Sequence, residues 1–266
     1  MQSPPMCGRF AVTASPEEVE ELFGLEEVEA FPPRYNIAPT QPILIVAGDV
    51  PRQPGDNRSP RRALLVRWGL LPSWVKDPKT FPLLINARSD TIAEKNSFKA
   101  AYRHRRVLIP ASGFYEWHRP AKELKLKSTP YWIRPSQGGI VAFAGLMETY
   151  LAPDGSEIDT AAIITCDANQ AIAPIHDRMP VVIGPEDFAR WLDCRGQEPK
   201  DVAGLMRPAA EDYFEAIRVS DLVNKVANTG AELQDPVADV PVQPAAAPAK
   251  PKPRKPGADD DQMKLI

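Results

Sequence analysis

The pattern of apolar and polar positions predicts a chain made mostly of β-strands. Eight apolar segments are rich in β-branched or aromatic residues and are bounded by Gly, Pro or Asp, as strands often are. Few helical stretches separate them, which argues against a doubly wound parallel sheet. We therefore predict an α+β fold with a β-rich mixed barrel or sandwich core and peripheral helices. The segments are 42–47, 62–69, 105–117, 130–135, 139–150, 160–166, 179–184 and 213–220.

Helix signals occur at four places. Ser15, Pro16 and Glu18 have the types and spacing of an N-cap, a first-turn proline and a capping-box glutamate. Apolar residues follow at helical spacing, so residues 16–23 are predicted to form a helix. The other three predicted helices open after Gly184-Pro185, include 202–206, and start within 89–103 at Ser89 or Asp90.

The composition excludes several classes of protein. Hydrophobic residues make up 43% of the 266 residues, which suffices for a sizeable core. The three cysteines are far apart, which argues against a disulfide framework or a zinc finger and favours a reducing cytoplasm. No apolar run approaches the ~20 residues of a membrane span, and the N-terminus lacks the apolar stretch of a signal peptide. We expect no metal, no cofactor and no membrane contact.

The C-terminal part differs in composition from the rest of the chain. Residues 236–256 contain seven prolines among Ala, Val and Lys. Such a segment cannot bury enough apolar surface to offset the entropy lost on ordering, so 234–266 are predicted to be a disordered tail. A weak contact between its KPKPRK patch and DNA is the alternative to a simply solvated tail.

The charges are segregated along the sequence. The net charge of −3 gives no overall basic signal, so DNA binding requires local clusters of basic residues. Acidic residues collect in 17–29, and basic residues collect in 58–67 and 99–106. This distribution predicts a positive groove opposite an acidic face, which suits the phosphates of a DNA strand.

Four short segments combine reactive side chains with turn residues: MCGRF (6–10), NAR (86–88), GFYEW (113–117) and IHDRMP (175–180). Each alone is a weak signal, since a lone cysteine is usually a small buried hydrophobe. With RYNIAPT, WGLLPSW and NTGAEL, in chain order, they make the protein resemble the SOS-response-associated peptidase (SRAP) family. The resemblance covers roughly residues 6–233, predicts a SRAP-like catalytic domain there, and is specific because the motifs occur jointly.

The resemblance implies an enzyme that senses and shields abasic sites in single-stranded DNA by linking to them covalently. It implies a crosslinking or lyase-type activity together with (auto)peptidase activity. It also implies that the protein is a monomer. Its implied location is the bacterial cytoplasm, at the nucleoid when DNA is damaged. The implied catalytic residues are Cys7 as nucleophile, Asn86 to position the sugar, Glu116 as acid/base and His176 to assist ring opening and reversal.

The same resemblance implies which side chains contact DNA. Aromatic side chains can stack on bases of any sequence, provided that they are exposed. From the residues alone, a position in the core is the alternative for the two tryptophans. The implied phosphate contacts are Arg9, Arg88 and Arg178, and the implied stacking or wedge residues are Trp68, Trp74 and Pro39.

The chemistry of an N-terminal cysteine agrees with this role. An abasic deoxyribose opens to an aldehyde, which the amine of Cys7 can convert to a Schiff base and its thiol can then close to a thiazolidine. The α-amine has a pKa near ~8, against ~10.4 for lysine, so more of it is neutral and nucleophilic at pH 7. A carboxylate such as Glu116 can move the protons that these steps require.

Six residues precede Cys7 in this chain, whereas the family begins Met-Cys. With these residues attached, the Cys7 nitrogen is an amide and cannot form a Schiff base. We expect either translation from Met6 with removal of that methionine, or self-cleavage in which the Cys7 thiol attacks the Met6 carbonyl, assisted by Glu116 or His176. Two other functions remain open: an N-terminal-nucleophile cysteine peptidase, and a non-enzymatic single-stranded DNA-binding module.

Overall fold

A computed structural model describes residues 8–48, 59–121, 124 and 126–238, and these residues form thirteen strands and four short α-helices. The strands are β1 (Arg9–Val12), β2 (Arg34–Ile37), β3 (Pro42–Ala47), β4 (Arg62–Trp68), β5 (Asn86–Arg88), β6 (Arg106–Ala111), β7 (Gly113–His118), β8 (Thr129–Pro135), β9 (Val141–Leu151), β10 (Glu157–Asp167), β11 (Arg178–Pro180), β12 (Val182–Ile183) and β13 (Phe214–Arg218). The α-helices are α1 (Pro16–Phe23), α2 (Lys99–His104), α3 (Phe188–Leu192) and α4 (Pro199–Val202).

Five strands close into a barrel. Antiparallel pairing joins β4, β3, β6, β9 and β10 in that order, and β10 returns to β4 through a parallel pairing of Thr160 with Arg67. Closure pairs edges that would otherwise expose backbone N–H and C=O groups. The C-terminal end of β10 extends beyond β4, pairing there with β5 and with β11.

A second sheet of five antiparallel strands, in the order β13-β8-β7-β1-β2, packs against the barrel. Two edge-to-face ring pairs join the sheet to the barrel: Phe10 meets Trp68 at 5.1 Å between centroids, and Phe114 meets Phe143 at 6.0 Å. All four side chains are fully buried. Burial of each such ring stabilises the fold by ~1.5–3 kcal/mol, with ~0.5–1.5 kcal/mol more from each pair.

The predicted helix over 16–23 coincides with α1. Ser15 caps it, and the capping box with Glu18 is formed in both directions. Gly24 ends the helix in the left-handed conformation, at φ 62°. The ring of Phe23 stacks on Phe188 of α3 at 5.1 Å, so these two helices pack together on the outside of the barrel. The fold-class prediction is confirmed.

The helix predicted to start at Ser89 or Asp90 is wrong. Within the segment 89–103, the α-helix begins only at Lys99, the first residue of α2, and residues 89–98 form turns. The reason is local, because the Asp90 carboxylate binds the Arg88 guanidinium with both oxygens instead of capping backbone N–H groups.

Two predicted strands are each divided in the structure. The segment 105–117 gives β6 in the barrel and β7 in the second sheet, with the break before Gly113. A Cβ atom on Gly113 would lie 2.4 Å from the carbonyl oxygen of Ile133, so only glycine allows β7 this close to β8. The segment 179–184 similarly gives β11 and β12.

No helix in the part of the chain that the structure describes is long and apolar enough to cross a bilayer. At the predicted start of the tail, Leu233 is fully buried and Pro236 forms a β-bridge with Val219. The rest of the predicted tail, residues 239–266, lies outside the described residues.

Candidate functional site

The beginning of β1 and the middle of β7 form one wall of an open cavity of about 310 Å³. Arg9 pairs with Tyr115, so Gly8 continues the antiparallel register opposite Glu116. Glu116 is only 3% exposed, yet it lines this cavity together with Gly8. Cys7, the predicted nucleophile next to Gly8, lies outside the described residues. The cavity is also lined by Arg9, Trp117, Arg119 and Ser128.

Strand β5 places Asn86 beside the same wall. A side chain at Gly8 would meet Cδ1 of Ile85 at 4.0 Å, and Ile85 directly precedes Asn86. Pairing of Asn86 with Ile163 of β10 holds this short strand in place. Gly8 of the MCGRF motif therefore lies close to the residue that precedes the NAR motif, although the two are far apart in sequence.

His176 ends a turn that leads into β11. Its Nδ1 lies 3.1 Å from the backbone nitrogen of Arg178 and 2.9 Å from Oδ1 of Asp177. Neutral His176 accepts from the Arg178 N–H, whereas protonated His176 donates to Asp177. Burial lowers the pKa of His176; Asp177 opposes this shift, while the charges of Arg119 and Arg178 add to it. The structure thus favours the neutral imidazole.

Arg178 is buried at the end of β10. Its Nη1 donates to Asp167 at 2.7 Å, and its Nη2 donates to the backbone oxygen of Thr165 at 2.8 Å. The guanidinium side chain is only 4% exposed. Within the described residues, its Nε and the hydroxyl of Thr165 have no hydrogen-bond partner, although both atoms are buried. Both of these polar groups are thus enclosed by protein in this structure.

Arg88 projects from β5 towards solvent, with 54% of its side chain exposed. It forms a bidentate pair with Asp90, at 2.6 Å and 3.1 Å. A hydrogen bond to Asp90 raises the pKa of Arg88, and the same bond lowers the pKa of Asp90. A phosphate contact by Arg88 would compete with this ion pair or add a second acceptor to it.

Arg9 holds β1 against the C-terminal part of the domain. Its Nη1 donates to Asn36 at 2.8 Å and to the carbonyl of Val223 at 2.6 Å, and its Nη2 donates to the carbonyl of Asn224 at 3.2 Å. Burial lowers the pKa of this guanidinium. These bonds give Arg9 a structural role beside the cavity.

Comparison with known proteins identifies the family. The model of the family described as "SOS response associated peptidase (SRAP)" matches residues 6–226. The chain belongs to the SRAP family. The resemblance inferred from the motifs is therefore confirmed, and the residues assembled around the cavity lie in the SRAP domain.

SRAP relatives match over most of this chain. It is 37% identical to the abasic site processing protein YoqW of Bacillus subtilis over 86% of this chain and 98% of that protein. It is 32% identical to the abasic site processing protein YedK of Escherichia coli, covering 87% and 100% respectively. The abasic site processing protein HMCES of Xenopus tropicalis is 29% identical over 85% of this chain and 77% of its own length.

Solved structures share the fold. A protein from Bacteroides thetaiotaomicron superposes with a TM-score of 0.74 at 22% identity, covering 87% of this chain and all of that one. A phage-related protein from Bordetella bronchiseptica gives a TM-score of 0.62 at 28% identity, covering 80% and 94%.

One DNA contact predicted from the SRAP resemblance is wrong in this structure. Trp68 is fully buried, its ring packs against Phe10, and its indole N–H donates to the carbonyl of Ile85 at 3.0 Å. It therefore belongs to the core and cannot stack on a base. Trp74 is 56% exposed and meets only Phe81 among aromatic rings in the described part, so its stacking role stays a prediction.

Pro39 lies half-buried in the turn between β2 and β3, and its role as a wedge also stays a prediction. The next residue, Thr40, has φ 74°, which is unusual for a β-branched side chain. Hydrogen bonds from Thr40 N to the Trp68 carbonyl and from Trp68 N to the Gln41 carbonyl hold this turn against the end of β4. The sequence carries no sign of this strained position.

The predicted positive groove opposite an acidic face fails at two of its basic residues, Arg61 and Arg106. Arg61 donates to the carbonyl of Phe23 at the end of acidic α1, and the backbone N–H of Ser59 donates to Glu26. One basic segment thus packs directly against the acidic one. In the other basic segment, Arg106 is 2% exposed and its guanidinium donates only to backbone carbonyls among the described residues.

Proposed function

We propose that this protein senses and shields abasic sites in single-stranded DNA, and that it forms a thiazolidine crosslink through the free amine and thiol of Cys7. The observation that carries the proposal is the shared cavity: Gly8, which follows Cys7, and the buried Glu116 line it together. The SRAP relatives named abasic site processing proteins supply the substrate class. The protein acts as a monomer in the bacterial cytoplasm, at the nucleoid after damage.

The reaction joins Cys7 to the sugar aldehyde in two bond-forming steps. The neutral amine attacks C1′, and loss of one water gives the Schiff base. The thiol sulfur then adds to the same carbon while its proton passes to the nitrogen, which closes the five-membered ring. Glu116 takes the proton of the attacking amine and returns it to the departing hydroxyl.

The remaining site residues orient the sugar. Asn86 hydrogen-bonds the opened deoxyribose from β5, and neutral His176 takes the proton of the sugar hydroxyl when the ring opens. Holding these groups around one carbon removes much of the entropic barrier to reaction. Reversal of the crosslink uses the same groups in the opposite protonation states.

Contacts along the strand come from residues around the cavity. Arg88 offers its exposed guanidinium to a phosphate, and Arg178, on β11, which pairs with the same end of β10 as β5 does, is the second proposed phosphate contact. Trp74 stacks on an unpaired base, and Pro39 separates neighbouring bases. These contacts favour single strands, because paired bases in a duplex are not free to stack on a side chain.

Denaturing gel electrophoresis with abasic single-stranded DNA tests the proposal. A chain beginning at Cys7 should give a heat-stable 1:1 adduct, and Cys7→Ser should give only a labile Schiff base because ring closure needs the thiol. Cys194→Ser, which changes a cysteine of α3's C-terminal loop, is the matched control and should crosslink normally. A heat-stable adduct from Cys7→Ser overturns the thiazolidine, and cleavage of an added peptide without any adduct favours a peptidase.

The amine mechanism also requires that Cys7 becomes the first residue. Intact-mass measurement on protein from the native host should show a chain that begins at Cys7. Removal of Met6 after translation from Met6, or self-cleavage after it, would each produce this end. A stable chain beginning at Met1 that still crosslinks abasic DNA contradicts the N-terminal amine as nucleophile.

A further inference from the structure

Arg119 stands at the mouth of the cavity lined by Gly8 and Glu116. It follows the end of β7 and is exposed to solvent. Among the described residues, none hydrogen-bonds to its guanidinium or pairs with it as an ion. An arginine whose donors meet no partner among the described residues, and which faces a reactive cavity, is suited to an oxyanion with two acceptor oxygens, such as a phosphodiester.

The three arginines that the family resemblance assigns to phosphates differ from Arg119, because their guanidinium groups already have partners. The guanidinium of Arg9 donates to backbone carbonyls and to Asn36, that of Arg88 forms an ion pair with Asp90, and that of Arg178 is buried against Asp167. A phosphate must displace or share those partners. At Arg119 a phosphate would displace none of the described residues.

We infer that Arg119 is a positioning residue that binds a backbone phosphate next to the abasic nucleotide and thereby holds the sugar over Gly8 and Glu116. This inference rests on the proposed function, and it names a residue that none of the four reactive motifs contains. The GFYEW motif ends at Trp117, two residues before Arg119.

The position of Arg119 couples this phosphate to His176. The groups whose charges act on His176 are Asp177, Arg119 and Arg178, and the positive charge of Arg119 lowers the pKa of the imidazole. A bound phosphate neutralises that charge, so the pKa of His176 rises when DNA is bound. The charge of Arg119 favours the neutral imidazole in the free protein, and once a phosphate neutralises that charge His176 more readily takes up the proton that ring opening releases.

A double-mutant cycle between the side chain and the DNA backbone tests this inference. Arg119→Gln is compared with wild type on abasic strands that carry one neutral methylphosphonate, placed either 5′ or 3′ to the abasic nucleotide. Wild type should crosslink about tenfold more slowly when the contacted linkage is neutral, the size expected for one charge-assisted hydrogen bond. Arg119→Gln should show that loss on normal DNA and no further loss on the neutral linkage. If the rate losses from Arg119→Gln and from the neutral linkage multiply at both the 5′ and the 3′ position, the inference is overturned.

Two controls separate this result from general effects. Arg190→Gln removes the same charge from α3, which packs on β6 away from the cavity, and should keep the wild-type response to both neutral linkages. An NMR titration of His176 supplies a readout that a merely structural role would not move. The pKa of His176 should be higher in Arg119→Gln than in wild type, and an unchanged pKa contradicts the coupling.

Failure of the proposed function is recognised separately. If wild type forms no adduct with abasic DNA, the thiazolidine proposal fails. The same cycle is then run on equilibrium binding of a strand with a stable tetrahydrofuran in place of the abasic sugar. Non-additive losses in affinity support the phosphate contact, and additive losses at both linkages refute it.

Discussion

At the scale of single residues, a substitution of Glu116 distinguishes a role in the reaction from a role in DNA binding. Its carboxyl is buried in the cavity wall, and its proposed task is proton transfer rather than DNA contact. Glu116→Gln keeps the shape and removes the base, so we expect crosslinking to slow by about 10²–10⁴-fold while affinity for abasic DNA stays near normal. Glu148→Gln, on β9, is the matched control. An equal loss of affinity and of rate would mean that Glu116 is structural.

His176 makes stability depend on pH. Because burial lowers the pKa of folded His176 below its ordinary value of 6.5, the unfolded chain binds the proton more readily. Its contribution is therefore complete above pH 6.5 and declines as the pH falls towards the folded pKa. Chemical denaturation between pH 7 and pH 5 should show a shallower loss of stability for His176→Gln than for wild type. Equal slopes would contradict a buried neutral imidazole.

Thr40 stores strain beside the predicted wedge residue. At φ 74°, a β-branched side chain is unfavourable, and glycine accepts this conformation without clash. Thr40→Gly should leave stability unchanged or raise it by up to ~1 kcal/mol, despite the greater freedom of glycine in the unfolded chain. Urea denaturation measures this, with Thr80→Gly in an exposed turn as the control. A clear loss of stability would show that the Thr40 side chain makes contacts that outweigh the strain.

At the scale of elements, the break between β6 and β7 depends on Gly113. A methyl group there would approach the Ile133 carbonyl and the Trp132 ring, at 2.4 Å and 2.7 Å, and neither can move easily within a sheet. We expect Gly113→Ala to destabilise the fold by ~1–3 kcal/mol and to displace Glu116 from the cavity. Thermal unfolding and the crosslinking rate measure the two effects. Gly204→Ala, where a Cβ meets nothing within 4 Å, is the control.

The elements also show why sequence reasoning succeeds in one place and fails in another. Helix α1 was predictable because its caps and apolar spacing all lie within the ten residues 15–24. Strand β5 was not, since the strand that its three residues pair with, among the described residues, is β10, 77 positions later. The same applies to Arg119, whose importance comes from a cavity that β1 and β7 build together.

At the scale of the whole molecule, the residues of the proposed site come from both sheets. The second sheet supplies Gly8 and Glu116, while the extended end of β10 supplies the strands that carry Asn86 and Arg178. The motifs identified the family from the sequence, but they gave no account of this convergence. They also placed Trp68 on the DNA surface, because a motif reports that a residue recurs and not whether it is exposed.

The C-terminal boundary gives the last prediction. Leu233 is buried, and Val237 donates to the carbonyl of Arg218 at the edge of β13, so the ordered packing runs past residue 233. A protein ending at 238 should keep the stability and crosslinking rate of the full chain. A protein ending at 233 loses the strand-like pairing at 236–237 and should be less stable by ~1–2 kcal/mol. Thermal denaturation of the two truncations decides this: equal stability would place the boundary at 233, and loss of crosslinking in the longer one would give the tail a part in the reaction.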